Sequence, residues 1–123
     1  MYKRQALVRE RSREAARAGA HLVAFPEMVL TGYPVEDLTL RTSFVEASRA
    51  ALQRLAADLA ADGLGDLPVV VGYLDRVEDP ATQLDEDVAR RRAGGRDEHG
   101  VVGVPKGMPQ NCAAVLHLSL IHI

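Results

Sequence analysis

The sequence predicts an α/β fold, a layer of helices laid on a sheet, from three observations. Segments of helix-forming residues alternate with short apolar runs in the order helix, strand, helix, strand, which points to strands with parallel neighbours. The runs beginning at His21 and at Val69 are continuously apolar and not alternating, as expected of strands covered on both faces. At 123 residues and 47% hydrophobic side chains, the chain can bury one core, that of one domain or a piece of one.

The first helix is expected from Ala6 to Ala18, a stretch rich in Ala, Arg and Glu, with Gly19 placed where a helix C-cap belongs. Its apolar stripe, Ala6, Val8, Ala15 and Ala18, is thin, which suits a helix lying against a sheet. A strand over 21–26 follows and stops at Pro26. Residues 26–41 hold two prolines, one glycine and acids, the composition of a loop in which Gly32 is free to take positive φ.

Ser43 to Glu46 reads as a capping box opening a long helix over 43–61. Phe44, Ala51, Leu52, Leu55 and Leu59 share one face of it, and Gly63 is the stop. Pro68 introduces the β-branched run Val69-Val70-Val71, giving a strand over 68–74. Residues 77–107 then break the pattern with seven acids, the triple Arg90-Arg91-Arg92 and five glycines, and read as a mobile surface insertion. Ala113 to Leu116 resumes an apolar strand, expected over 112–117 in the same sheet as the other two.

Composition excludes several functions. Fifteen Lys and Arg against seventeen Asp and Glu leave a net charge of −2, without the basic footprint of a nucleic-acid binder. Five aromatics and no Trp offer no base-stacking platform. No apolar run approaches the roughly 20 residues that span a bilayer. Four scattered histidines lack the paired spacing of a metal site, so no metal is expected. The lone Cys112 cannot form an internal disulfide and the basic N-terminus lacks a secretory apolar stretch, which together predict a cytoplasmic protein.

The termini read differently from the rest. Met1 to Gln5 and Leu118 to Ile123 can be translated from opposite strands of one short DNA element, which resembles a transposon end used to tag sequencing libraries. Residues 1–5 and 118–123 are therefore expected to be non-native tails outside the fold, and 6–117 a truncated domain.

Phe25-Pro26-Glu27 sets a carboxylate at the C-terminal end of a predicted strand, where open α/β sheets place reacting groups. Desolvated by apolar neighbours, such a glutamate can act as a general base; after a strand, it is more often a solvated loop residue. The surrounding residues 20–38, Ala-His-Leu-Val-Ala-Phe-Pro-Glu-Met-Val-Leu-Thr-Gly-Tyr-Pro-Val-Glu-Asp-Leu, resemble the glutamate segment of the nitrilase superfamily of carbon–nitrogen hydrolases. Thr31-Gly32-Tyr33 followed by Glu36-Asp37-Leu38 is most similar to the glutaminase domains of glutamine-dependent NAD(+) synthetases, with support from Pro68–Tyr73 and Asn111–Leu116.

The resemblance implies a nitrilase-type α-β-β-α sandwich, here an incomplete layer of one. It implies that Glu27 is the general base of a Glu-Lys-Cys triad and that Tyr33 helps to shape a glutamine pocket. It places the lysine and the nucleophilic cysteine downstream of the strand at Ala113, beyond Ile123. Cys112 and Lys106 both come too early in the order to be those residues, and this chain alone is expected to be inactive. For the full-length parent it implies glutamine, deamido-NAD and ATP as substrates, ATP and Mg bound in a separate synthetase half, no cofactor in this domain, and a homo-oligomer. A free-standing nitrilase-type amidase would share Glu27 without the synthetase half. A flavodoxin-like signalling module would need a cluster of acids beside the strand end, and none is apparent on the strands.

Overall fold

The structure, a computed structural model, describes residues 1–76 and 109–122. Helix α1 (Tyr2–Arg17) leads to the short strand β1 (Val23–Ala24), a 3-10 helix (Glu36–Leu40) and the long helix α2 (Thr42–Ala61). Strands β2 (Val69–Arg76), β3 (Pro109–His117) and β4 (Leu120–His122) complete one four-stranded sheet in the order β1-β2-β3-β4. The expected α/β layer is present, with the three predicted strands in one sheet. The insertion expected over 77–107, with Lys106, lies outside the described residues.

Both helices pack on one face of the sheet. Leu52, Leu55 and Leu59 of α2 and Val8 of α1 meet Val69, Val71 and Tyr73 of β2 and Ala114 and Leu116 of β3, all nearly inaccessible to solvent. The face predicted for α2 is therefore the buried one, joined by Val45, Ser48 and Ala56. Both helices end in the same way. Gly19 and Gly63 take φ of 84° and 78°, and each donates back to the third residue before it, while the next residue donates to the fifth before it. This is a Schellman stop, in which the left-handed residue costs least when it is Gly.

The two helices are clamped at one end. Arg9 holds both oxygens of Asp62 at 2.7 and 2.8 Å, and Arg13 adds a contact of 2.8 Å. Asp62 is the C-cap of α2, where a carboxylate opposes the helix dipole, so the arginines of α1 offset an unfavourable placement.

Several expectations need correction. Only β1 and β2 run parallel; β2–β3 and β3–β4 are antiparallel. The α2 crossover returns the chain in parallel, whereas antiparallel neighbours need no covering helix between them. Strand β1 pairs only Val23 with Val69 and Ala24 with Val70, shorter than the predicted 21–26, and Leu22 is exposed. It is an edge strand covered on one side, so a continuous apolar run did not mean burial on both faces.

The stripe of α1 is Gln5, Val8 and Ser12, with Ala6 and Ala18 exposed. Helix α2 begins at Thr42 with Arg41 as its N-cap and no side-chain cap, which leaves Ser43 inside the first turn and not in a capping box. The chain enters α2 directly from the 3-10 helix, and the Arg41 carbonyl accepts from Phe44 and Val45.

The terminal residues expected outside the fold are placed within it. Gln5 is buried and its Nε2 donates to the Ala51 carbonyl at 2.8 Å, while β4 pairs with the end of β3. Lys, Arg and Gln are good helix formers and extend α1 toward the N-terminus. Ile121 and its neighbours are β-prone and close a hairpin. That hairpin turns at Leu118 and Ser119 with φ of 53° and 60°, positions that favour Asn-Gly.

Candidate active site

Glu27 leaves the sheet where β1 ends, and three local features decide where its carboxylate goes. The backbone of 26–28 rides directly over Gly72 of β2. A Cβ at position 72 would lie 2.6 Å from the Met28 nitrogen, 2.8 Å from the Pro26 oxygen and 2.9 Å from the Glu27 Cα. Only glycine lets the loop approach so closely. Met28 then takes φ of 55°, a left-handed turn that is strained for a side chain of its size and redirects the chain immediately after Glu27.

The third feature is on β3. Asn111 stands opposite Leu74, two residues from the Gly72–Ala113 pair, and its Nδ2 donates to Glu27 Oε1. Strands lie about 4.8 Å apart, so a backbone seated on β2 at Gly72 suspends the glutamate over β3 at Asn111. Sequence reasoning singled out Glu27 but missed Gly72 and Asn111. The signal for Gly72 was a glycine interrupting a β-branched run, which marks a bulge or a close backbone approach.

Glu27 separates two shallow depressions. One, of about 340 Å³, is lined by Glu27 and Phe25 and, on the strands, by Val70, Gly72, Asn111, Cys112 and Ala113. The other, of about 290 Å³, runs from Glu27 past Met28 and Leu74 to Tyr33. The two residues singled out from the sequence thus border one depression although Tyr33 is 81% exposed. Glu27 is exposed as well, so the described residues do not supply the desolvation that the sequence suggested.

Beyond Glu27, β1 no longer covers β2, and other groups satisfy its backbone. Leu30 donates to the Gly72 carbonyl at 3.4 Å, and the Leu74 amide donates to the buried Ser48 Oγ at 3.1 Å. Tyr73, buried on the helix side, donates to Asp75 Oδ2 at 2.6 Å; burial, and then this bond, push its hydroxyl pKa up.

Cys112, paired with Tyr73, packs partly against the same core and also borders the first depression. Its thiol is pushed up by burial and by the Asp75 charge, the setting of an inert thiol and not a nucleophile. Among the described residues no group of three or more His, Cys, Asp or Glu could hold a metal ion. No helix among them is long and apolar enough to cross a membrane.

No protein-family model matches the chain. In sequence it is similar to the glutamine-dependent NAD(+) synthetase of Thermotoga maritima, 41% identical over 70 residues, which is 57% of this chain and 12% of that protein. The enzyme of the same name from Rhodobacter capsulatus is 52% identical over 42 residues, 34% of this chain and 8% of that protein. The one from Acinetobacter baylyi is 33% identical over 70 residues, 57% of this chain and 12% of that protein.

In fold the chain is similar to the crystal structure of a glutamine-dependent NAD(+) synthetase from Cytophaga hutchinsonii. The TM-score is 0.65 at 19% identity, over 96% of this chain and 15% of that one. The Acinetobacter baumannii enzyme in complex with ADP gives 0.60 at 24% identity, over 97% of this chain and 16% of that one. The chain thus spans about an eighth or less of the length of these curated relatives. Sequence and backbone together match this chain to a segment of glutamine-dependent NAD(+) synthetases.

Proposed function

We propose that the chain is part of the glutaminase domain of a glutamine-dependent NAD(+) synthetase, contributing the general base to a nitrilase-type site. The 41% identity over 70 residues to the Thermotoga maritima enzyme carries this reading. The placement of Glu27 at a strand end, beside a depression bordered by Tyr33, supports it. In this reading a cysteine thiolate and a lysine come from chain beyond these residues. The thiolate attacks the amide carbon of glutamine, the ammonium of the lysine stabilises the oxyanion, and Glu27 carries the thiol proton to the departing nitrogen. The C–N bond breaks, ammonia leaves, and water resolves the thioester to glutamate.

The ammonia then serves an ATP-dependent amidation of deamido-NAD in a separate half, where ATP and Mg would bind; the ADP in the Acinetobacter baumannii relative supports a nucleotide there. The same reading makes the full-length enzyme a cytoplasmic homo-oligomer. It takes 6–117 as native sequence and the residues on either side as derived from a flanking DNA element.

The test compares two proteins. Residues 1–123 incubated with glutamine should release no ammonia. The uninterrupted reading frame from the same source should release it, with Glu27→Gln lowering kcat by about 10²-fold or more. That frame should depart from this sequence before about Ala6 and after about Leu116 to Leu118. Glutamine turnover by residues 1–123 alone would overturn the division of the triad.

A further inference from the structure

We infer that Asn111 is a positioning residue for Glu27: it fixes one carboxylate oxygen and leaves the other directed at the depression where a substrate amide would lie. The inference rests on the reading of Glu27 as a general base and adds a residue to it. Its ground is geometric. Glu27 is exposed and follows the end of a two-residue edge strand, so nothing on its own element restrains its side chain. A solvated glutamate samples several rotamers, whereas a general base must hold one oxygen within hydrogen-bond reach of the proton it takes.

The Asn111 amide supplies the restraint from a strand 84 residues away in sequence. Asn111 lies within the paired length of β3, with Leu74 opposite it and paired residues on both sides, out to Pro109 at the strand end, so the donor is itself held by the sheet. The donor is neutral, so it orients the carboxylate without placing a fixed positive charge beside a group that must accept and release a proton. Gly72 fixes the backbone below, and Met28 turns the chain away immediately after. Side chain and main chain of Glu27 are therefore held by separate partners, both on the sheet face opposite the helices.

The contact is tested on the 123-residue chain by NMR. The Asn111 side-chain amide signals should move in Glu27→Ala, which removes the acceptor, both residues being exposed enough for the variant to fold. Amide signals that ignore the substitution overturn the inference.

The role is tested by kinetics in the uninterrupted reading frame. Asn111→Ala should lower kcat for glutamine hydrolysis about 10-fold with KM within about twofold. Asn111→Asp keeps the shape but replaces the donor with a second carboxylate, and should cost about 100-fold or more. If Asn111 only filled space, the isosteric Asp would be the milder change, and that order overturns the inference. A wild-type frame with no glutaminase activity refutes the proposed function instead, and the amide signals then decide on their own whether Asn111 holds Glu27.

Discussion

Single residues in this protein are held by partners far away in sequence, and their responses to acid and to alkylation follow from that. Asp62 lies between Arg9 and Arg13. The hydrogen bond from Arg9, opposed by partial burial and reinforced by Arg13, lowers its pKa from 3.8 to about 2. A carboxyl depressed in the folded state stabilises it fully above the unfolded value and loses that contribution as pH falls toward the folded one. Wild type should therefore exceed Asp62→Asn in stability by about 1 kcal/mol at pH 7, a modest figure because Arg13 is partly solvated. The two unfolding curves should converge between pH 4 and pH 2; a gap constant with pH would show that the clamp is not electrostatic. Cys112 should react with iodoacetamide at pH 8 about 10-fold or more slowly than free cysteine, because its thiolate is disfavoured by burial against the core. Rapid alkylation of the folded chain would contradict that placement.

At the scale of elements, the weakest joint is the β3–β4 hairpin. Its two turn residues, Leu118 and Ser119, both occupy the left-handed region, which costs a non-glycine residue about 1 kcal/mol each. Replacing them together, Leu118→Asn with Ser119→Gly, should raise the unfolding midpoint by several degrees and slow amide exchange at Leu120 and His122. An unchanged midpoint and exchange rate would mean that β4 contributes nothing to the sheet in solution. The connection of α2 to β2 depends on a different device. Ser48 on the helix accepts the Leu74 amide at the point where β1 has run out, so a helix side chain completes the backbone hydrogen bonding of a strand.

For the molecule as a whole, the helices cover one face of the sheet, and among the described residues the other is covered at Gly72 by 26–28 and at Leu74 by Met28, Val35 and Val45, leaving the rest of it open. Around Glu27 that second face presents Phe25, Val70 and Ala113, and exposed Leu22 and Leu120 lie on the two edge segments. An apolar sheet face with unpaired edges promotes association. Sedimentation of residues 1–123 should show self-association rising with concentration, accompanied by binding of a hydrophobic dye. A dye-silent monomer at millimolar concentration would contradict the exposure of this face.

The sequence by itself determined what depends on neighbours along the chain. The glycine stops at Gly19 and Gly63, the apolar face of α2 and the β-branched run of β2 are local choices of propensity and period, and each is found where it was expected. Glu27 was singled out for the same reason, because a string of adjacent residues points to it. Tertiary structure decided the rest. Strand direction depends on how the chain returns to the sheet, so the antiparallel β2–β3 pair left no mark in either strand. Whether an apolar run is covered on both faces depends on what else packs there, so β1 proved to be a short edge. The support of Glu27 by Gly72 and Asn111 joins residues 45 and 84 positions downstream, and only the pairing of β2 with β3 brings them beneath one carboxylate.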